Sequence, residues 1–137
     1  MNRKVLLYVG AFINILFAML HLAFWEMFNW KEELRLVSNE TSGVLQILTI
    51  ASIYMLVFFA GIIFFIAVKN KSDIISNAML LFISGYFLIR IITGYFYFGF
   101  SIAELIIWIV CLVTASIFIY SVFFVKNGSQ KNAASQQ

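Results

Sequence analysis

The sequence predicts an all-α fold: a polytopic membrane protein built as an antiparallel four-transmembrane-helix bundle, with a short interfacial helix in the first outer loop. Three observations predict it. The chain has 137 residues, 64% of them hydrophobic and 11% charged, with a mean hydropathy of +1.00. A soluble domain has about half its residues apolar and about a quarter charged, so this chain has too little polar surface to cover a water-soluble globule. Four runs reach the length of about 20 apolar residues that crosses a hydrocarbon core. Lysine and arginine are shared unequally among the breaks between those runs.

The first span is expected over Val5–Phe28. "MNRK" resembles the basic start of a secretory signal. The apolar stretch behind it is longer than a signal's core, however, and no small-x-small cleavage site follows. It is therefore expected to be retained. The break "NWKEELRLVSNETSG" comes next. Asn29 and Glu32 stand in capping-box-like N-x-x-E spacing, and Trp30, Leu34 and Val37 share one helical face. A short helix lying along the outer interface is the expectation, with a plain polar connector as the alternative.

The remaining spans are expected over Val44–Val68, Ile74–Phe98 and Ile102–Val125, separated by "KNKSD" and by the Gly99–Phe100–Ser101 turn. Residues 1–125 thus form a single four-helix domain, and 126–137 form a polar tail, predicted to be disordered and cytoplasmic. Arg3 and Lys4, Lys69 and Lys71, and Lys126 and Lys131 fall on one face. The other face has only Lys31 and Arg35 among Glu32, Glu33 and Glu40. The positive-inside rule then puts both termini in the cytoplasm, in the cell (plasma or inner) membrane. Trp25, Trp30, Tyr95 and Tyr97 mark an outer aromatic belt, and Tyr8 and Tyr120 an inner one. The Asn-x-Ser/Thr matches at Asn39 and Asn127 carry no weight.

Polar residues inside the spans are the functional signal. On span one Gly10, Asn14, Ala18, His21 and Trp25 recur on one helical stripe, with Glu26 just off it. Span four has Glu104, Trp108, Cys111 and Ala115 on one face. Span three has Tyr86, Arg90, Gly94 and Tyr97, and span two contributes Gln46. Small and polar residues on one stripe mark the face that meets other helices. At about 1.5 Å of rise per residue, His21 lies roughly 10 Å below the outer end of its span. Arg90 lies about 13 Å before the Gly99 turn and Glu104 roughly 7 Å after it, a mismatch an arginine stem covers by snorkelling. His21, Glu26, Gln46, Arg90 and Glu104 therefore share the outer half of the membrane, with Asn14 deeper.

An arginine at mid-membrane costs about 2.5–3.5 kcal/mol on insertion scales, so Arg90 needs Glu104 or Glu26 as a partner. Two carboxylates against one guanidinium leave a negative charge, balanced by a protonated His21 or a neutral glutamic acid. The sharp reading is an outward-facing polar pocket whose charge is set by a proton. The bland readings stand beside it. Glu104 follows Ser101 in S-x-x-E capping-box spacing, Glu26 can snorkel to the interface, His21 can serve as a helix–helix hydrogen-bonding residue, and Arg90 with a glutamate can be a structural ion pair.

"HLAFWEMFNW" ending span one, the short Glu-rich loop and "GVLQ" opening span two resemble the small four-span membrane proteins common in bacteria. That resemblance implies the four-span fold and no defined activity. The leading functional reading is a non-enzymatic scaffold, accessory or ligand-binding protein. Its partners are the lipid bilayer and a second copy of the chain or a larger membrane complex, and not nucleic acid. The alternative is a small proton-linked carrier acting as a dimer, although the chain has no proline and few glycines to break its helices. A membrane-embedded enzyme using His/Glu acid–base chemistry ranks last. No metal site or cofactor is expected. His21 and Glu26, five residues apart, point about 140° apart on a helix, which is poor for one ion. The lone Cys111 excludes an internal disulfide.

Overall fold

The computed structural model describes residues 2–70 and 72–123. The expected tail at 126–137, with Lys126, Asn127 and Lys131, lies outside them, as does Lys71. The described residues are helical with turns and contain no strand: α1 (Arg3–Met27), α2 (Trp30–Glu33), α3 (Asn39–Lys69), α4 (Ile74–Phe98) and α5 (Ile102–Phe123). Among them, α1, α3, α4 and α5 are long and apolar enough to cross a membrane. Only 28% of the most apolar window of α4, and the same of α5, is buried within the chain. Ile89, Ile92, Phe96, Ile106, Ile109 and Val113 stay exposed, more apolar surface than water tolerates on a monomer.

The helix boundaries follow from local backbone chemistry. α1, α3 and α4 each run into a residue with positive φ: Asn29 at 47°, Asn70 at 48° and Gly99 at 65°. Asparagine and glycine tolerate this region best, and it stops a helix by turning the next amide back on the last carbonyls. Accordingly, the N–H groups of Asn29, Asn70 and Gly99 donate to the carbonyls of Glu26, Ala67 and Tyr95.

Asn29 corrects one expectation. It does not form a capping box with Glu32, because an N-cap needs extended backbone and Asn29 is left-handed, with no side-chain cap bond. It closes α1 instead. The following helix is a single turn that ends before Leu34 and Val37.

The starts are capped by oxygen. The Ser38 hydroxyl accepts from the Thr41 amide at 3.2 Å and begins α3 five residues ahead of the predicted Val44. Apolar patterning misses the polar first turn "NETS". An Asp73 carboxylate oxygen accepts from the Ser76 amide at 2.7 Å and starts α4. The Ser101 hydroxyl accepts from the Glu104 amide at 3.1 Å and starts α5.

The chain divides into two compact units, residues 1–10 with 63–137 and residues 11–62, of which only the described positions are discussed. In the first, α4 and α5 pack as an antiparallel hairpin around the Gly99 turn. Leu80, Ile83 and Phe87 of α4 and Cys111, Ala115 and Phe118 of α5 are all at most 1% exposed. The Ser84 hydroxyl donates across to the Ala115 carbonyl at 3.2 Å, a polar tie between helices.

The start of α1 joins the same unit. Arg3 is 3% exposed and donates from Nε to the Ser121 carbonyl at 3.1 Å and from Nη2 to Asn77 Oδ1 at 3.0 Å. Seven residues on, a Cβ at Gly10 would lie 2.4 Å from Cε1 of the Phe118 ring, so this close approach requires glycine. In the second unit the buried side chains include Asn14, Phe17 and Ala18 of α1, and Leu56, Phe59 and Ala60 of α3. Trp25 packs its ring 6.0 Å from that of Trp30, tying the end of α1 to α2.

Candidate functional site

The hairpin brings Arg90 and Glu104 together. Nη2 of Arg90 lies 3.2 Å from Oε1 of Glu104, and Nη1 lies 3.4 Å from Oε2. The two parallel contacts form a fork-to-fork pair, the geometry that makes arginine–carboxylate contacts specific. The side chains are 28% and 12% exposed, so the pair is shielded yet reachable. Ser101 sets the position of Glu104: its cap fixes the backbone of the first turn of α5 and leaves the carboxylate free to cross to α4. Capping and pairing coexist.

Gly94 makes the meeting sterically feasible. A Cβ there would lie 2.4 Å from Arg90 Nη1, 2.9 Å from Glu104 Oε2 and 2.9 Å from Trp108 Nε1. A guanidinium, a carboxylate and an indole N–H therefore converge on one bare patch of backbone. The indole N–H is buried and has no hydrogen-bond partner among the described residues. An orphaned donor of that kind costs about 1–3 kcal/mol. Aromatic rings flank it. Tyr95 and Phe100 stand 6.1 and 6.2 Å from the Trp108 ring, centroid to centroid, and the Arg90 guanidinium lies 5.7 Å from the centre of the Phe98 ring.

Of the other predicted site residues, His21 and Gln46 bond within their own helices. His21, half-buried, stands with Nδ1 2.8 Å from the Phe17 carbonyl. A carbonyl oxygen only accepts, so Nδ1 donates in this contact. Gln46 donates from Nε2 to the Ser42 hydroxyl at 3.1 Å, one turn back on α3. Asn14 is fully buried. Glu26 is exposed near the end of α1, and its carboxylate makes no ion pair among the described residues. Arg90 and Glu104 thus match one to one, and their pair is neutral without a third charge.

Two participants, Trp108 and Gly94, were absent from the expected set, as was the buried Arg3 outside the locus. Trp108 and Gly94 stand on the stripes of spans four and three, and their spacing was the available signal. Arg3 had no such signal. Beside Lys4 at the start of the chain it reads as one more interfacial cation, yet it is buried.

No family model, curated protein or solved structure matches the chain. The fold defines a class: among the described residues, an all-helical protein with four helices long and apolar enough to cross a membrane. Within it, Arg90, Glu104 and Trp108 form a polar locus at the turn end of the α4–α5 hairpin.

Proposed function

We propose that this is a multi-pass protein of the plasma or inner membrane, with both termini cytoplasmic, that binds a small ligand through the Arg90–Glu104–Trp108 locus and does not catalyse a reaction. In this reading α1, α3, α4 and α5 cross the bilayer in alternating directions, α2 lies at the outer interface, and the Gly99 turn faces outward. The distribution of Lys and Arg supports that orientation. The observation that carries the binding role is the buried indole N–H of Trp108, without a partner among the described residues and beside a partly exposed ion pair. A purely structural pair has no use for an adjacent orphaned donor. A site awaiting an acceptor does.

The test is to leave Trp108 as the sole tryptophan (Trp25→Phe, Trp30→Phe) and quench its fluorescence with the chain in lipid nanodiscs. Acrylamide, which enters from water, is expected to quench Trp108. Quenching by brominated lipid with none by acrylamide would show a residue sealed in hydrocarbon and end the binding reading.

A further inference from the structure

Resting on the binding reading, the geometry points to a specific ligand chemistry: a zwitterion, an ammonium joined by a short linker to a phosphate or carboxylate. Donors and acceptor at the locus are unequal. A guanidinium carries five N–H groups and the indole one more, while the acceptor beside them, the Glu104 carboxylate, takes two contacts from Arg90. The surplus donors seek an oxygen-rich group, and the orphaned Trp108 N–H is the one held away from water.

Charge narrows the choice. The ion pair is neutral, so a simple anion drawn to the donors also meets Glu104, and a simple cation drawn to Glu104 also meets Arg90. A molecule carrying both charges avoids each penalty. Its phosphate or carboxylate takes the spare N–H groups of Arg90 and Trp108, and its ammonium takes the outer lone pairs of Glu104. The Tyr95 and Phe100 rings beside Trp108 supply faces that favour an ammonium. The spacing also fits a short linker, because Arg90 Nη1, Glu104 Oε2 and Trp108 Nε1 all close over Gly94 and so lie near one another.

Two sources offer this chemistry. One is an aminoethyl phosphate headgroup of a phospholipid, at the depth the outward-facing turn would occupy. The other is a soluble amino phosphate or amino acid. The experiment follows thermal unfolding of the full chain in detergent while lysophosphatidylethanolamine, lysophosphatidylglycerol or O-phosphoethanolamine is titrated in.

The expected result is a saturable rise in midpoint with lysophosphatidylethanolamine, at an affinity about tenfold tighter than for the glycerol headgroup, which keeps the phosphate and lacks the ammonium. Trp108→Phe keeps the ring and removes the donor, and should weaken that affinity about tenfold. If O-phosphoethanolamine gives the same rise with the same dependence on Trp108, the zwitterion stands and its source is soluble. Equal affinity for the two lipids, no saturable response to either zwitterion, or a Trp108→Phe chain that binds unchanged overturns the inference. The wild-type comparison of headgroups needs no variant to fold. A chain that fails here while acrylamide still reaches Trp108 loses the zwitterion and keeps its binding role.

Discussion

Arg90 of α4 and Glu104 of α5 face each other fork to fork across the Gly99 turn, at 3.2 and 3.4 Å. The contact links two helices whose outward faces are apolar, so each charge is the answer to the other. Coupling should be visible in a double-mutant cycle. Arg90→Gln and Glu104→Gln are each expected to lower unfolding stability by about 1–3 kcal/mol, as for other charged hydrogen bonds. The double variant should recover part of the loss, because no lone charge remains buried. Additive losses in detergent unfolding would mean the pair is not coupled.

Gly94→Ala separates packing from pairing. Alanine favours a helix interior by about 1 kcal/mol over glycine; two of the atoms its Cβ would meet, Arg90 Nη1 and Glu104 Oε2, end flexible side chains, and the Trp108 indole at 2.9 Å must give by a few tenths of an ångström. The variant should therefore fold, with Arg90 pushed off Glu104. Its mark should be the loss of coupling energy when the same double-mutant cycle is repeated in the Gly94→Ala background.

Gly10→Ala should behave differently. The obstacle there is the ring of Phe118, 0% exposed and unable to swing away. Overpacking of this kind costs about 1–3 kcal/mol, so the unfolding midpoint should fall.

Arg3 offers a test at the opposite end of the hairpin. Arg3→Ala removes the hydrogen bonds to Ser121 and Asn77 and should cost about 1–3 kcal/mol. Arg3→Lys should recover little, since a single ammonium lacks the guanidinium fork that reaches both acceptors. A stability unchanged in Arg3→Ala would show the contact to be idle.

Much of this was legible in the residues. Hydropathy places the four long helices, and the α4 boundaries agree to the residue because Asp73 and Gly99 punctuate both ends with unambiguous chemistry. Less was legible where one residue type serves two roles. Asparagine is both a good N-cap and a good left-handed stop, and Asn29 takes the second role. Ser38 sits inside a polar stretch, where patterning of apolar residues is silent, so the extra turn of α3 went unseen. Arg90 and Glu104 could be matched by depth and charge alone. Trp108 could not be chosen from its stripe, because an orphaned N–H is a property of three-dimensional packing.

A chain with the bilayer as its solvent and a polar locus open to the outer side has a definite pattern of accessible positions. Cysteine accessibility tests it most directly. With Cys111→Ala as background, single substitutions Asn2→Cys, Glu33→Cys, Ser72→Cys and Ser101→Cys are exposed to a membrane-impermeant maleimide in intact cells. Glu33→Cys and Ser101→Cys should label from outside, and Asn2→Cys and Ser72→Cys only after permeabilisation. Labelling of Asn2→Cys and Ser72→Cys from opposite sides, or recovery of the chain in the soluble fraction, would contradict it.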